Sequence, residues 1–154
     1  MKIFDCFMYF DEDLILDVRL NTLDENIDYF VIVESKFFHN GKVRPLKFNI
    51  DKYQNFKDKI IYLTQDHQPV ELKELNPADD EGIKSFKLIF NAHKREHAQR
   101  NFIEKGLTVA NDNDIILISD VDEIPNLEIL NFEIFKKKII IFKQEMFYYK
   151  FNLK

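Results

Sequence analysis

An α/β sandwich built on a mainly parallel sheet is the fold this sequence predicts. Short apolar runs alternate with amphipathic segments through most of the chain, as they do when strands and helices take turns. The runs are continuous and rich in β-branched residues, which suits strands buried on both faces. With 154 residues, the chain fits one domain spanning 1–154 and is long enough to bury a core without staples.

Residues 3–10 (IFDCFMYF) are apolar and aromatic with one acid, and predict a strand. In residues 13–23, Leu16, Leu20 and Leu23 repeat at helical spacing among acids and Arg19, which predicts a helix with Asp11 as N-cap. Residues 29–33 (YFVIV) predict a second strand that delivers Glu34 and Ser35 at its end. Asn40-Gly41 is a turn signal between 37–39 and 42–48, marking a hairpin or an ordered loop. A third strand is expected at 59–63 (KIIYL). Residues 64–82, polar with Pro69, Pro77 and Gly82, read as a loop long enough to imply function or mobility. Residues 83–105 predict a helix closed by Gly106 as C-cap. Further strands are expected at 114–119 (DIILIS) and 138–143 (KIIIFK).

Composition removes several function classes. The net charge of −5 argues against a nucleic-acid binder, whose affinity comes mainly from positive charge on phosphates. With 3 glycines, a Gly-rich phosphate cradle is not expected. The single cysteine, Cys6, allows neither an intramolecular disulfide nor a multi-cysteine zinc site, and fits a reducing compartment. The first residues lack a signal peptide's apolar core, and no apolar run approaches the ~20 residues that span a bilayer. A cytoplasmic chain with no membrane span is expected.

The sharpest feature is ILISDVDEIP, residues 116–125. A buried strand ends there and delivers Asp120, Asp122 and Glu123. In open α/β sheets, ligands bind outside the carboxyl ends of strands. In an extended segment, residues two apart point the same way, so Asp120 and Asp122 converge on one point. Carboxylate oxygens so placed suit a hard cation, Mg²⁺ or Mn²⁺, which can grip a diphosphate and neutralise its charge on leaving. The alternative is a solvated acidic turn that caps the next element.

Around that loop the chain resembles glycosyltransferase family 17, the family of the β-1,4-mannosyl-glycoprotein β-1,4-N-acetylglucosaminyltransferase. The similar stretches are KIFDCFMYFDEDLILDVRL (2–20), DYFVIVES (28–35), then His39, Gly41, Pro45 and Leu46, REHAQRN (95–101), Gly106-Leu107 and SDVDEIP (119–125), all in order. The resemblance implies a GT-A-like, Rossmann-like three-layer sandwich. It also implies a UDP-sugar donor, with UDP-N-acetylglucosamine the first choice, a divalent metal and a carbohydrate or other hydroxyl acceptor. By it, Asp122 is the direct metal ligand, and Asp120 contacts the ribose or the metal through water. Asp5, Phe7 and Glu34 line the nucleotide pocket. Arg95 and Arg100 face the diphosphate or sugar, against a plain Glu96–Arg100 helix-surface pair as the alternative. Asp122, Glu123 and the late Glu145 are the candidate catalytic residues, Glu145 as the acceptor's general base against an ordinary strand-edge charge. The chain ends at Lys154, where the acceptor side of such a domain is expected to begin, so a truncated, split or degenerate transferase is anticipated. Apolar surface left exposed at that end predicts a homodimer.

Two other classes compete. His93-Lys94-Arg95-Glu96-His97 fits the H-x-x-E-H pattern of a zinc metallopeptidase, with both histidines on one helix face, though it requires a third ligand. A non-catalytic nucleotide-sugar-binding remnant is the other. Lys136–Lys138 reads as a solvated face, and Phe147, Tyr148 and Tyr149 as packing or a sugar-stacking platform.

Overall fold

A computed structural model describes residues 1–132 and 139–145. The elements run β1 (Ile3–Tyr9), α1 (Asp13–Leu23), β2 (Tyr29–Ser35), a 3₁₀ segment (Ile50–Phe56), β3 (Ile60–Gln65), α2 (Glu81–Asn101), a second 3₁₀ segment (Phe102–Gly106) and β4 (Ile115–Ser119). The four strands form one sheet in the order β3-β2-β1-β4, and every pairing is parallel. The α/β class and the parallel sheet are those the sequence predicts, and the arrangement is Rossmann-like, as expected of a GT-A-type fold.

The strand order decides where a ligand can sit. The chain winds outward from β1 to β2 and β3, then returns through α2 to place β4 on the other side of β1. The winding therefore reverses between β1 and β4. The crevice outside the carboxyl ends of those two strands is the switch point at which open α/β sheets bind ligands. Phe7 pairs with Ser119 there, so the residues after each strand share one edge.

Successive strand side chains go to opposite faces and build two cores. Phe7, Phe30, Ile32 and Leu117 pack with Leu16, Leu20 and Leu23 of α1. Phe4, Cys6, Val31 and Val33 pack with Ile103 on the other side. The sheet thus has cover on both faces, which is why its strands read as unbroken apolar runs rather than alternating ones. Burying one such Leu, Ile or Phe side chain contributes about 1.5–3 kcal/mol. Burial pushes the Cys6 thiol well above its ordinary range, leaving an inert core residue.

Several local expectations need correction. The N-cap position of α1 is Glu12, not Asp11, and the Glu12 carboxylate accepts from the Phe10 and Asp11 amides instead of the helix's own. α2 starts at Glu81, capped by Asp80 accepting from the Ile83 amide, and its α-helical part stops at Asn101. Gly106 does not cap a helix in the left-handed region. It ends the second 3₁₀ segment, where an added Cβ would lie 2.4 Å from Val31 Cγ1. The Asn40-Gly41 signal does mark a small hairpin: Phe37 and Val43 bridge antiparallel, with Gly41 at φ +87°. The long segment after β3 is pinned to α2 by Asn91, whose side chain bonds both the amide and the carbonyl of Lys73. The final strand is not present over the described residues 139–143. Ile139, Ile140, Ile141 and Phe142 are exposed there, because β-branched sequence supplies no hydrogen-bonded neighbour by itself. Lys136, Lys137 and Lys138, and Phe147, Tyr148 and Tyr149, lie outside the described residues.

Candidate functional site

β4 ends at Ser119, and the chain turns at once. The Glu123 amide donates to the Asp120 carbonyl across 3.0 Å, closing a turn centred on Val121 and Asp122. The Glu123 carboxylate folds back to accept from the Asp120 amide at 2.9 Å. Val121 enters the core beside α1, whereas Asp120, Asp122 and Glu123 are exposed. Asp120 and Asp122 therefore do not point together through strand alternation, since the segment is a turn and not a strand. Proximity within the turn brings the two acids to one edge instead.

Their surroundings differ. Asp120 Oδ1 lies 3.0 Å from Arg100 Nη2, which is also 3.5 Å from Glu96. The helix-surface pair with Glu96 is thus present, and a contact with the acidic turn accompanies it. The Asp122 carboxylate has no hydrogen-bond or ion-pair partner among the described residues. No cluster of three or more His, Cys, Asp or Glu suited to a metal occurs among the described residues. Protein ligands for a cation at this edge are then one or two carboxylates. That suits Mg²⁺ or Mn²⁺ whose remaining positions are filled by phosphate oxygens and water.

Behind the turn stands Arg19, which the sequence reading passed over. Its guanidinium is wholly buried and forms a two-pronged pair with Asp5, Nε to Oδ2 and Nη2 to Oδ1, each at 2.7 Å. Nη2 also donates to Ser119 Oγ at 2.6 Å, and Nη1 reaches the carbonyls of Asp120, Val121 and Glu123 at 2.8, 3.0 and 3.2 Å. The Phe7 ring lies 4.6 Å beneath it. The signal was there: Arg19 sits on the stripe Leu16, Arg19, Leu20, Leu23, which is the buried face of α1. A charge on that face needs a buried partner, and Asp5 is the one acid within β1.

A second buried pair organises the next loops. Glu34 lies 3.0 Å from Arg44 and accepts from the Lys47 and Phe48 amides and the Tyr62 hydroxyl. Burial, helped by that bond to Glu34, pushes the Tyr62 phenol up to about 12. Arg44 donates to the Ser35 and Phe10 carbonyls and lies 4.0 Å over the Phe10 ring. Asp5, Phe7 and Glu34 are accordingly buried supports beneath the edge, with the polar atoms of the two acids committed to the protein. Arg95 is committed as well: it donates to Gln68 Oε1 at 2.8 Å and to the His39 carbonyl at 3.0 Å, bracing the hairpin. Of the expected donor-facing arginines, Arg100 meets the acidic turn. Glu145 is exposed.

Concavity does not select this edge. A hollow of about 400 Å³ lies elsewhere, lined by Phe48, Asn49, Ile50, Lys57, Ile60 and Tyr62. Topology and chemistry select it instead. His93 and His97 do share a face, their rings 6.3 Å apart, but no third ligand joins them among the described residues. No helix among the described residues is long and apolar enough to cross a membrane.

No solved structure matches the chain. The β-1,4-mannosyl-glycoprotein 4-β-N-acetylglucosaminyltransferases of Homo sapiens and Rattus norvegicus are each 30% identical to it over 115 residues, covering 72% of this chain and 19% of each relative. The Mus musculus protein of the same name is 29% identical over the same length. The chain thus spans about a fifth of the length of these relatives. The sequence pattern of glycosyltransferase family 17 runs through every element that builds the acidic edge, matching residues 1–152, and the chain belongs to that family.

Proposed function

We propose that the chain is the donor-binding domain of a metal-dependent glycosyltransferase that moves a sugar from a UDP-sugar to a hydroxyl of a carbohydrate acceptor. N-acetylglucosamine is the sugar named for the relatives, and is the one proposed here. The observation that carries this reading is the placement of two exposed acids, Asp120 and Asp122, the latter without a partner among the described residues, at the β1–β4 switch point beside Arg100.

A divalent cation bound there supplies charge neutralisation for the departing diphosphate. The chain's own residues do the rest. Asp122 offers carboxylate oxygens that no group among the described residues competes for. Asp120 shares its carboxylate with Arg100. The Arg100 guanidinium, about one-third exposed, can turn a planar fork of donors to a phosphate oxygen. Glu123 holds the turn closed through the Asp120 amide, so its role is to shape the acidic edge.

Asp122→Ala tests the site. Titration calorimetry with UDP should show Mn²⁺-dependent binding in the parent protein and its loss in the variant, by about tenfold or more for a charged ligand removed. Equal UDP affinity with and without Mn²⁺, in both proteins, would sink the assignment. Slow Mn²⁺-dependent hydrolysis of UDP-N-acetylglucosamine separates a transferase from a domain that only binds the donor.

A further inference from the structure

We infer that Arg19 is a positioning residue for the donor site: it acts as an internal cation that fixes the acidic turn in its binding shape. The inference rests on the proposed donor site for its functional half only.

Arg19 joins three elements that meet nowhere else in this way. Its stem belongs to α1, its two-pronged partner to β1, and its remaining donors go to the turn after β4. Four acceptors of that turn converge on it: Ser119 Oγ and the carbonyls of Asp120, Val121 and Glu123. The Ser119 hydroxyl in turn donates to the Glu123 carbonyl at 3.2 Å, closing the ring. Three carbonyl oxygens gathered on one positive centre resemble the backbone ligands of a cation-binding loop. Here the guanidinium occupies that centre. The carboxylates of Asp120 and Asp122 are left at the surface, Asp120 paired with Arg100.

Stability alone is a poor reason for such a pair. Filling the same space with apolar side chains is often at least as stable, because two charges must be stripped of water. A lysine would keep the charge but has one nitrogen and no planar fork. An apolar replacement would hold the helix to the sheet and leave three carbonyls unanchored. The property special to arginine is the simultaneous hold on Asp5 and the turn. That hold sets where Asp120 and Asp122 stand relative to β1.

The test compares Arg19→Lys with Leu16→Ala, which weakens the same buried stripe of α1 without removing any hydrogen bond to the turn. Two readouts are taken where both variants are folded. The first is amide hydrogen exchange without ligand at Asp120, Glu123 and Ile124, whose amides are bonded within the turn. Arg19→Lys should speed exchange there by about tenfold relative to the β4 amides, whereas Leu16→Ala should loosen sheet and turn alike. The second is UDP affinity with Mn²⁺, which should fall about tenfold or more in Arg19→Lys and stay within about twofold in Leu16→Ala. Parallel exchange profiles, or an unchanged affinity in Arg19→Lys, would overturn the inference. If Arg19→Lys does not fold, Ser119→Ala removes the hydroxyl that accepts from Arg19 and donates to the Glu123 carbonyl, and leaves the ion pair whole. It should give the same two effects at smaller size, and no change in either overturns the inference. A parent protein that binds no UDP with Mn²⁺ overturns the donor-site reading, while the ligand-free exchange still decides the role of Arg19.

Discussion

Arg100 Nη2 stands 3.0 Å from Asp120 Oδ1, so Asp120 is already paired while Asp122 has no partner among the described residues. A cation bound at the edge must share Asp120 with Arg100 or displace it. Arg100→Ala should therefore have opposite effects on two ligands. Mn²⁺ alone should bind up to about fivefold more tightly, since a partly exposed pair is worth roughly 0.2–1 kcal/mol. UDP with Mn²⁺ should bind about tenfold more weakly, because a charged donor to phosphate is gone. Titration calorimetry of each ligand checks both. A parallel change in the two affinities would show that Arg100 does not exchange between acid and phosphate.

Glu34 tests support against ligand contact. Its removal strands Arg44 as an unpaired buried charge and leaves the Lys47 and Phe48 amides without acceptors. Glu34→Ala should cost about 3–5 kcal/mol in urea unfolding. Glu34→Gln keeps an acceptor and the shape, so its cost should be smaller and its UDP affinity unchanged. Loss of UDP affinity in a fully stable Glu34→Gln would return this residue to the nucleotide pocket.

Gly41 is required twice over. Its φ of +87° disfavours a side chain, and an added Cβ would come within 2.5 Å of Arg95 Nη2. Gly41→Ala should lose about 1–2 kcal/mol from the backbone alone. Chemical denaturation measures that loss. Amide exchange should show it concentrated in the hairpin, with Lys42, which donates to Asn40, among the first affected.

Acid should loosen the start of the sheet. The Lys2 and Asn111 amides donate to Asp114 at 2.7 and 2.9 Å and hold its carboxyl below the usual range. The Lys52 ammonium, and then the Tyr9 hydroxyl, do the same for Asp13. A carboxyl whose folded pKa is lowered adds stability that is complete above its ordinary value, and loses it as pH falls through the lowered one. Melting temperature should hold steady above about pH 5 and decline below about pH 4. Asp114→Asn should start lower at neutral pH and decline less. Equal slopes in the two proteins would remove Asp114 from the acid response.

The sheet was legible because its four strands announce themselves as short apolar runs, of which the central β1 and β2 are the most completely buried. The acidic turn was legible for a chemical reason: three carboxylates directly after such a run are costly to bury and must emerge at its end. The residues KIIIFK show the limit of the same signal. They are as apolar and β-branched as β4, yet residues 139–143 form no strand, because pairing depends on a neighbour and not on composition. Arg19 shows the opposite failure. Its spacing from Leu16 and Leu23 marked it as buried, but its charge made it read as surface.

The sequence by itself determined the class of fold, the family and the acid-bearing edge, since local hydrophobicity and motif order need no partner to be read. Only the tertiary structure decided which charged residues reach the acidic turn and which hold the frame. Asp5, Glu34 and Arg95 turned out to be committed inward, and Arg100 alone of the two expected arginines reached the turn. The physical reason is that a charge is defined by its counter-charge. Arg19 lies 14 residues from Asp5 and about a hundred from the turn it also grips, a distance the chain closes only by folding.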